Sequence, residues 1–238
     1  MENSPKERIG EITSSGEKFY ELLETEINGR YLSWEHCYGA FSIYKGKKVL
    51  ESELDYLSLH LSFYLASWGM YRGSSFLLQK DYKVHNQAVT ELLEEKYVSL
   101  WAISPSEYNY NTLHLLFSLV NELKLIYSQI RISANQSIHR EEPKNQISDV
   151  LITKILMGTL GCVPAYDRFF CEGIKKHAVA STLFNINSVR NLSVFYEEHR
   201  SEFEKIRKVM SKTIIYPEMK VLDMCFWQIG YEDSLKNN

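Results

Sequence analysis

Apolar residues return every three or four positions along most of this chain, and that period belongs to helices that bury one face. Ile9, Ile12, Phe19, Leu22, Leu23 and Ile27 fall so among charges and predict a helix over 5–27, with Ser14-Ser15-Gly16 as a place for it to break. Trp34, Cys37, Tyr38 and Phe41 predict another over 31–44, closed by the exposed turn Lys45-Gly46-Lys47-Lys48. Ser52 with Asp55 has capping-box spacing. Behind it Leu54, Leu57, Leu61, Tyr64, Leu65 and Trp68 share a face while Leu59, Phe63 and Met70 occupy others, so this helix should be covered on several sides. A shorter surface helix is expected over 84–97. Ser104-Pro105-Ser106-Glu107, or Asn111 as its rival, should cap a helix running to about Ile132. Ser148 should start a helix ending near Leu160, and Pro164 the next. A long amphipathic segment follows over 185–210, then a last helix over 217–230 bearing Met219, Leu222, Cys225, Phe226 and Ile229, with 232–238 frayed. Val98–Ile103 is the best strand candidate, and no repeat at fixed period is found. The expectation is one all-α domain over 1–238, of about eight or nine helices, with a subdomain boundary in the loop 134–146.

Composition narrows the classes. The net charge of −3 argues against a protein coated in nucleic acid or lipid headgroups, while leaving room for a local basic groove. Cys37, Cys162, Cys171 and Cys225 lie far apart without C-x-x-C, which suits reduced thiols better than a disulfide framework or a zinc site. The start is polar and mixed in charge, no apolar run is long enough for a membrane, and the expected place is the cytoplasm. There is no P-loop, G-x-G-x-x-G, G-x-S-x-G or H-E-x-x-H, and no histidine pair at i, i+4, so no metal site is expected. His36 and Cys37 are adjacent, which on a helix turns them apart, so they read as packing residues.

One stretch costs more than a plain turn requires: Lys154-Ile-Leu-Met-Gly-Thr-Leu-Gly-Cys-Val-Pro-Ala-Tyr-Asp-Arg-Phe-Phe170. Gly158 and Gly161 let backbone pass close to another helix or a phosphate. Asp167 should fall in or near the first turn of a new helix, where the dipole favours an acid without any chemistry. Its neighbours Tyr166, Phe169 and Phe170 give the functional reading weight, since an acid among aromatics is partly desolvated.

A helix, a turn, then Val163-Pro164 and Asp167 leading into another helix resembles the catalytic segment of the helix-hairpin-helix DNA glycosylases. The resemblance implies that fold, DNA as partner, no metal or organic cofactor, and Asp167 as the acid that stabilises the sugar cation as the base leaves. It also implies phosphate contact by glycine amides, here Gly158 and Gly161. These two stand close to the acid, whereas the family's hairpin lies well upstream. Lys154, 13 residues before Asp167, is the lysine to weigh for the lyase role and is nearer than the family's position. More widely, Phe63-Tyr-Leu-Ala-Ser-Trp-Gly-Met-Tyr-Arg-Gly-Ser-Ser75 and Leu160–Phe170 are similar to runs in bacterial proteins of unassigned function.

Trp68, Tyr71 and Arg72, with Tyr166, are the candidate contacts to an extruded base; the alternative is that Trp68 is core and Arg72 caps or pairs on the surface. Arg168 and Lys175, trailing Asp167 on its helix, are the candidate phosphate contacts. Lys205, Arg207, Lys208 and Lys212 sit among glutamates and read as a solvated face. Asp223, in apolar company, is either a buried partner of an arginine or a second carboxylate of a site. The leading expectation is a DNA N-glycosylase-like hydrolase. A non-catalytic helical interaction module of a phage-defence or toxin–antitoxin pair, or an enzyme on a small nucleotide, are the others.

Overall fold

Pro217 turns the chain into the helix around which one half of the protein is built. Among the residues that the computed structural model describes, 5–73, 75–136 and 147–236, secondary structure is helical, with no strand. The chain divides into two compact units. Unit 1 takes residues 1–29, 102–113 and 161–238, and unit 2 takes 30–101 and 114–160. Residues 137–146 of the expected boundary loop lie outside the described residues. No helix is long and apolar enough to cross a membrane, and no group of three His, Cys, Asp or Glu could hold a metal, among the described residues.

The helices are α1 (Pro5–Thr25), α2 (Ser33–Ser42), α3 (Glu51–Ser67), α4 (Asn86–Leu92), α5 (Tyr110–Gln136), α6 (Asp149–Thr159), α7 (Arg168–Lys176), α8 (Ile186–Glu198), α9 (Arg200–Met210) and α10 (Glu218–Lys236). In unit 1, α10 is buried at every residue from Glu218 to Gly230, with α1 and α7 as its main neighbours. Burial of this kind contributes roughly 1.5–3 kcal/mol for each large apolar side chain. Met219, Leu222, Cys225, Phe226 and Ile229, one stripe of the sequence, are all covered, but so are Lys220, Asp223 and Gln228. The polar residues had hidden how fully this helix is enclosed.

In unit 2, α3 packs on α2, α4, α6 and the 3-10 turn Tyr82–His85. A hydrogen-bonded chain crosses it. Ser62 Oγ donates to Tyr71 OH at 3.0 Å, Tyr71 OH meets His85 Nε2 at 2.7 Å, and His85 Nδ1 meets Tyr127 OH at 2.7 Å. His85 is fully buried, and burial lowers its pKa from 6.5 to about 3. Between those values the unfolded chain takes up a proton that the folded chain refuses. Stability should therefore be level with respect to this group above pH 6.5 and fall by roughly 1.4 kcal/mol per unit below it, down to about pH 3. Denaturant midpoints at pH 7, 5.5 and 4.5, with His85→Gln for comparison, check this: the variant should lose most of the difference in slope.

Several boundaries differ from the sequence expectation for local reasons. Helix α1 runs unbroken through Ser14-Ser15-Gly16, with Ser15 Oγ bonding back to Glu11 O at 3.0 Å. Helix α3 begins earlier than Ser52 predicts, because Glu53 reaches back to the Leu50 amide at 2.6 Å. The strand candidate 98–103 falls instead in a 3-10 turn, Glu95–Leu100, and its exit, where Tyr97 and Leu100 are buried at the three-residue spacing such a turn brings to one side. Asn109, not Asn111, caps α5 by accepting from Thr112 N at 3.1 Å. The 185–210 segment divides at His199 into α8 and α9.

Candidate active-site segment

Helix α6 ends at Thr159 with Leu160 as its C-cap, and Gly161 follows with φ +65°, the left-handed turn at which a helix is commonly closed. Pro164 does not open the next helix. It lies inside a fully buried stretch, 161–166, and α7 starts only at Arg168. Buried backbone outside a helix must find partners elsewhere. Tyr108 OH donates to the Cys162 carbonyl. Ala165 N donates to Asp223 Oδ1 at 3.0 Å, and Asp167 N returns to Ala165 O at 2.8 Å. Tyr166 OH meets Ser188 Oγ at 2.8 Å, and the Ser188 hydroxyl donates to Ser181 O at 2.6 Å.

This anchored stretch delivers Asp167 to the N-cap of α7. Its Oδ1 accepts from Phe170 N at 3.2 Å, and the residue is half-buried. Asp223 is the group behind it. It answers the open alternative of the sequence: its buried partner is not an arginine but Lys220, one turn away on α10, Nζ to Oδ2 2.9 Å. Burial pushes the Asp223 carboxyl above the usual range, the Lys220 ammonium pulls it down, and the Asp167 charge pushes it up again. The Asp167 charge is thus felt at Asp223 within unit 1. The Cys171 thiol, half-buried on α7, is pushed up to about 11 by burial and then by the charges of Asp167 and Glu172.

The chain matches no protein-family model, no curated protein and no solved structure.

The remaining candidates are spread out. Tyr166 is buried, its ring 5.3 Å from Phe170 and 5.0 Å from Phe184, so its aromatic face is taken by packing and the base-contact role is corrected to an anchoring one. Arg168 is exposed and pairs with Glu172 at 3.0 Å, the ordinary i, i+4 pair of a helix surface. Lys175 is exposed on the same helix. Gly158 and Lys154 belong to unit 2. A Cβ on Gly158 would come within 2.7 Å of the Tyr64 ring, so its missing side chain serves close packing with α3, and the phosphate role expected of it is corrected. Lys154 is buried with its Nζ 4.9 Å from the centroid of Trp68. Trp68 is half-buried and also packs beside Tyr31 and Tyr64. Tyr71 is committed to His85. Arg72 is exposed and lines a cavity with Gly69 and Arg131.

Tyr108 and Ser188, which anchor the 161–166 stretch, and Arg131, a cavity residue, carry no motif in the sequence. Buried hydroxyls need partners, so the Pro-flanked apolar stretch carried a hint that polar groups from elsewhere must serve its backbone. Nothing in the sequence said which ones.

Proposed function

We propose that this protein is a DNA-acting N-glycosylase-like enzyme in which Asp167 carries the reaction. The observation behind this is the anchoring of 161–166: a buried, non-helical stretch held at Cys162, Ala165 and Tyr166 ends in a half-exposed carboxylate at the start of a helix. Simple helix capping does not need so many buried partners. In the reaction the C1′–N bond breaks and its electron pair leaves with the base, which takes a proton. Positive charge grows on the sugar, and a fixed carboxylate nearby lowers the energy of that state. Water then adds at C1′ and loses a proton, leaving an abasic site and a free base. Asp223 acts through Ala165 as a positioning residue.

Duplexes carrying normal, damaged or hypermodified bases, incubated with the protein and then treated with alkali, test this. Strand breaks with wild type and none with Asp167→Asn support the assignment; breaks that persist in Asp167→Asn overturn it. Asn caps a helix about as well as Asp, so this variant removes charge and keeps the fold, whereas Asp167→Ala should cost about 1 kcal/mol of stability.

A second reading, a non-catalytic interaction module, is favoured by a different observation. Tyr56, Leu59 and Phe63 are exposed at i, i+3 and i+7 of α3, an apolar stripe along a helix face. Under it the Asp167 carboxylate only caps α7, and Asp167→Asn changes nothing but charge.

A further inference from the structure

Unit 2 holds a cavity of about 370 Å3 whose lining includes Arg72, Arg131, Met70, Phe76 and Leu77. Two guanidinium groups stand among the described lining residues and no acid does. Arg72 makes no ion pair among the described residues, and its guanidinium lies back over Gly69, 2.9 Å from where a Cβ would be. Arg131 has contacts of its own, and what it adds here is a second positive charge in the wall. The N-cap of the eleven-residue α6, Ser148, whose hydroxyl accepts from Leu151 N at 3.3 Å, and Leu151 of its first turn also line the cavity. The one acid of that turn, Asp149, is already bound to Lys124 at 2.6 Å. Ser75 adds a second hydroxyl, and Met70, Phe76, Leu77 and Ile147 make the apolar part of the lining, with the Phe76 ring 6.3 Å from that of Tyr127.

We infer that this cavity binds a small phosphate monoester whose other part is flat and apolar, of the size of a nucleoside monophosphate. The Arg72 guanidinium fork matches the oxygens of a phosphoryl dianion, and the positive charge of Arg131 in the same wall favours it further. The volume lies in the range of small-molecule sites, larger than free phosphate needs. Phe76, Met70 and Leu77 supply a face for a ring. This site rests on neither Asp167 nor base removal, and it stands if the glycosylase reading fails.

Isothermal titration of the full chain with adenosine 5′-monophosphate, adenosine and inorganic phosphate tests it, with Arg72→Gln and Arg131→Gln as variants. Arg72 is exposed, so its substitution should leave the melting temperature unchanged and isolate the charge. The monophosphate should bind at least about tenfold tighter than either fragment, and each substitution should weaken it about tenfold or more. Should Arg131→Gln lose stability, Arg72→Gln alone carries the test. Failure of the monophosphate to bind, equal binding of adenosine or free phosphate, or affinity untouched by Arg72→Gln each overturns the proposal.

Discussion

Gly173→Ala and Gly230→Ala should each cost about 3 kcal/mol or more and leave unit 1 largely unfolded at temperatures where the wild type is native. Helices α7 and α10 meet through these two residues in a reciprocal way. A Cβ on Gly173 would fall 2.8 Å from the Phe226 carbonyl carbon and closer to its oxygen, and one on Gly230 would stand in the same relation to Phe169. The obstructing atoms are helix backbone on both sides, which cannot swing away as a flexible side chain can. The usual preference of helices for Ala over Gly, worth up to about 1 kcal/mol, is therefore overridden. Gly10 on α1 supplies the internal comparison: nothing stands within 4 Å of a Cβ there, so Gly10→Ala should stabilise by about 0.5–1 kcal/mol. Urea unfolding followed by circular dichroism separates the cases. Melting of Gly173→Ala in step with Gly10→Ala would mean that the two helices do not cross as closely as described.

Breaking the Lys220–Asp223 pair should have the next largest effect. Both side chains are almost wholly buried, and removal of one partner from such a pair typically costs about 3–5 kcal/mol, because the other charge is left without compensation. Lys220→Met strands the Asp223 carboxyl, which should then hold its proton to higher pH still. The folded chain would bind a proton that the unfolded chain has released, so the deficit of this variant should shrink as pH falls from 7 towards 4. Asp223→Ala is worse placed than Asp223→Asn, since Asn keeps an oxygen for the Ala165 amide. Lys220→Met with Asp223→Asn should recover much of the lost stability, being neutral throughout and still anchoring Ala165. A double variant no more stable than Lys220→Met would show that the charge pair is not what the site depends on.

The all-helical class was legible in the chain because apolar spacing follows the helical period whatever surrounds it. The starts that agreed were those written in local chemistry: Ser148 and Asn185 each accept from the amide three residues on. What failed was tertiary. Pro164 reads locally as a helix start, yet the buried stretch it occupies is held by Tyr108, Ser188 and Asp223, none of which is near it in sequence. The last helix reads as one apolar stripe, Met219 to Ile229, yet α10 is buried on every side from Glu218 to Gly230, and the pairing of Lys220 with Asp223 inside it hides the fact. Asp167 was singled out by its aromatic neighbours. In the fold one of them, Tyr166, is an anchor with its ring closed off, and the capping bond to Phe170 N is what sets the carboxylate. The division into two units, interleaved in sequence, leaves no mark in composition.

The measurement that bears most directly on the central claim is release of free base from DNA, read by chromatography with mass detection, for wild type and Asp167→Asn of equal melting temperature. The account predicts a free base from wild type, an abasic site left in the strand, and a rate lower in the variant by on the order of a hundredfold or more. No base released from any of the normal, damaged or hypermodified substrates, or equal release by both proteins, would contradict it.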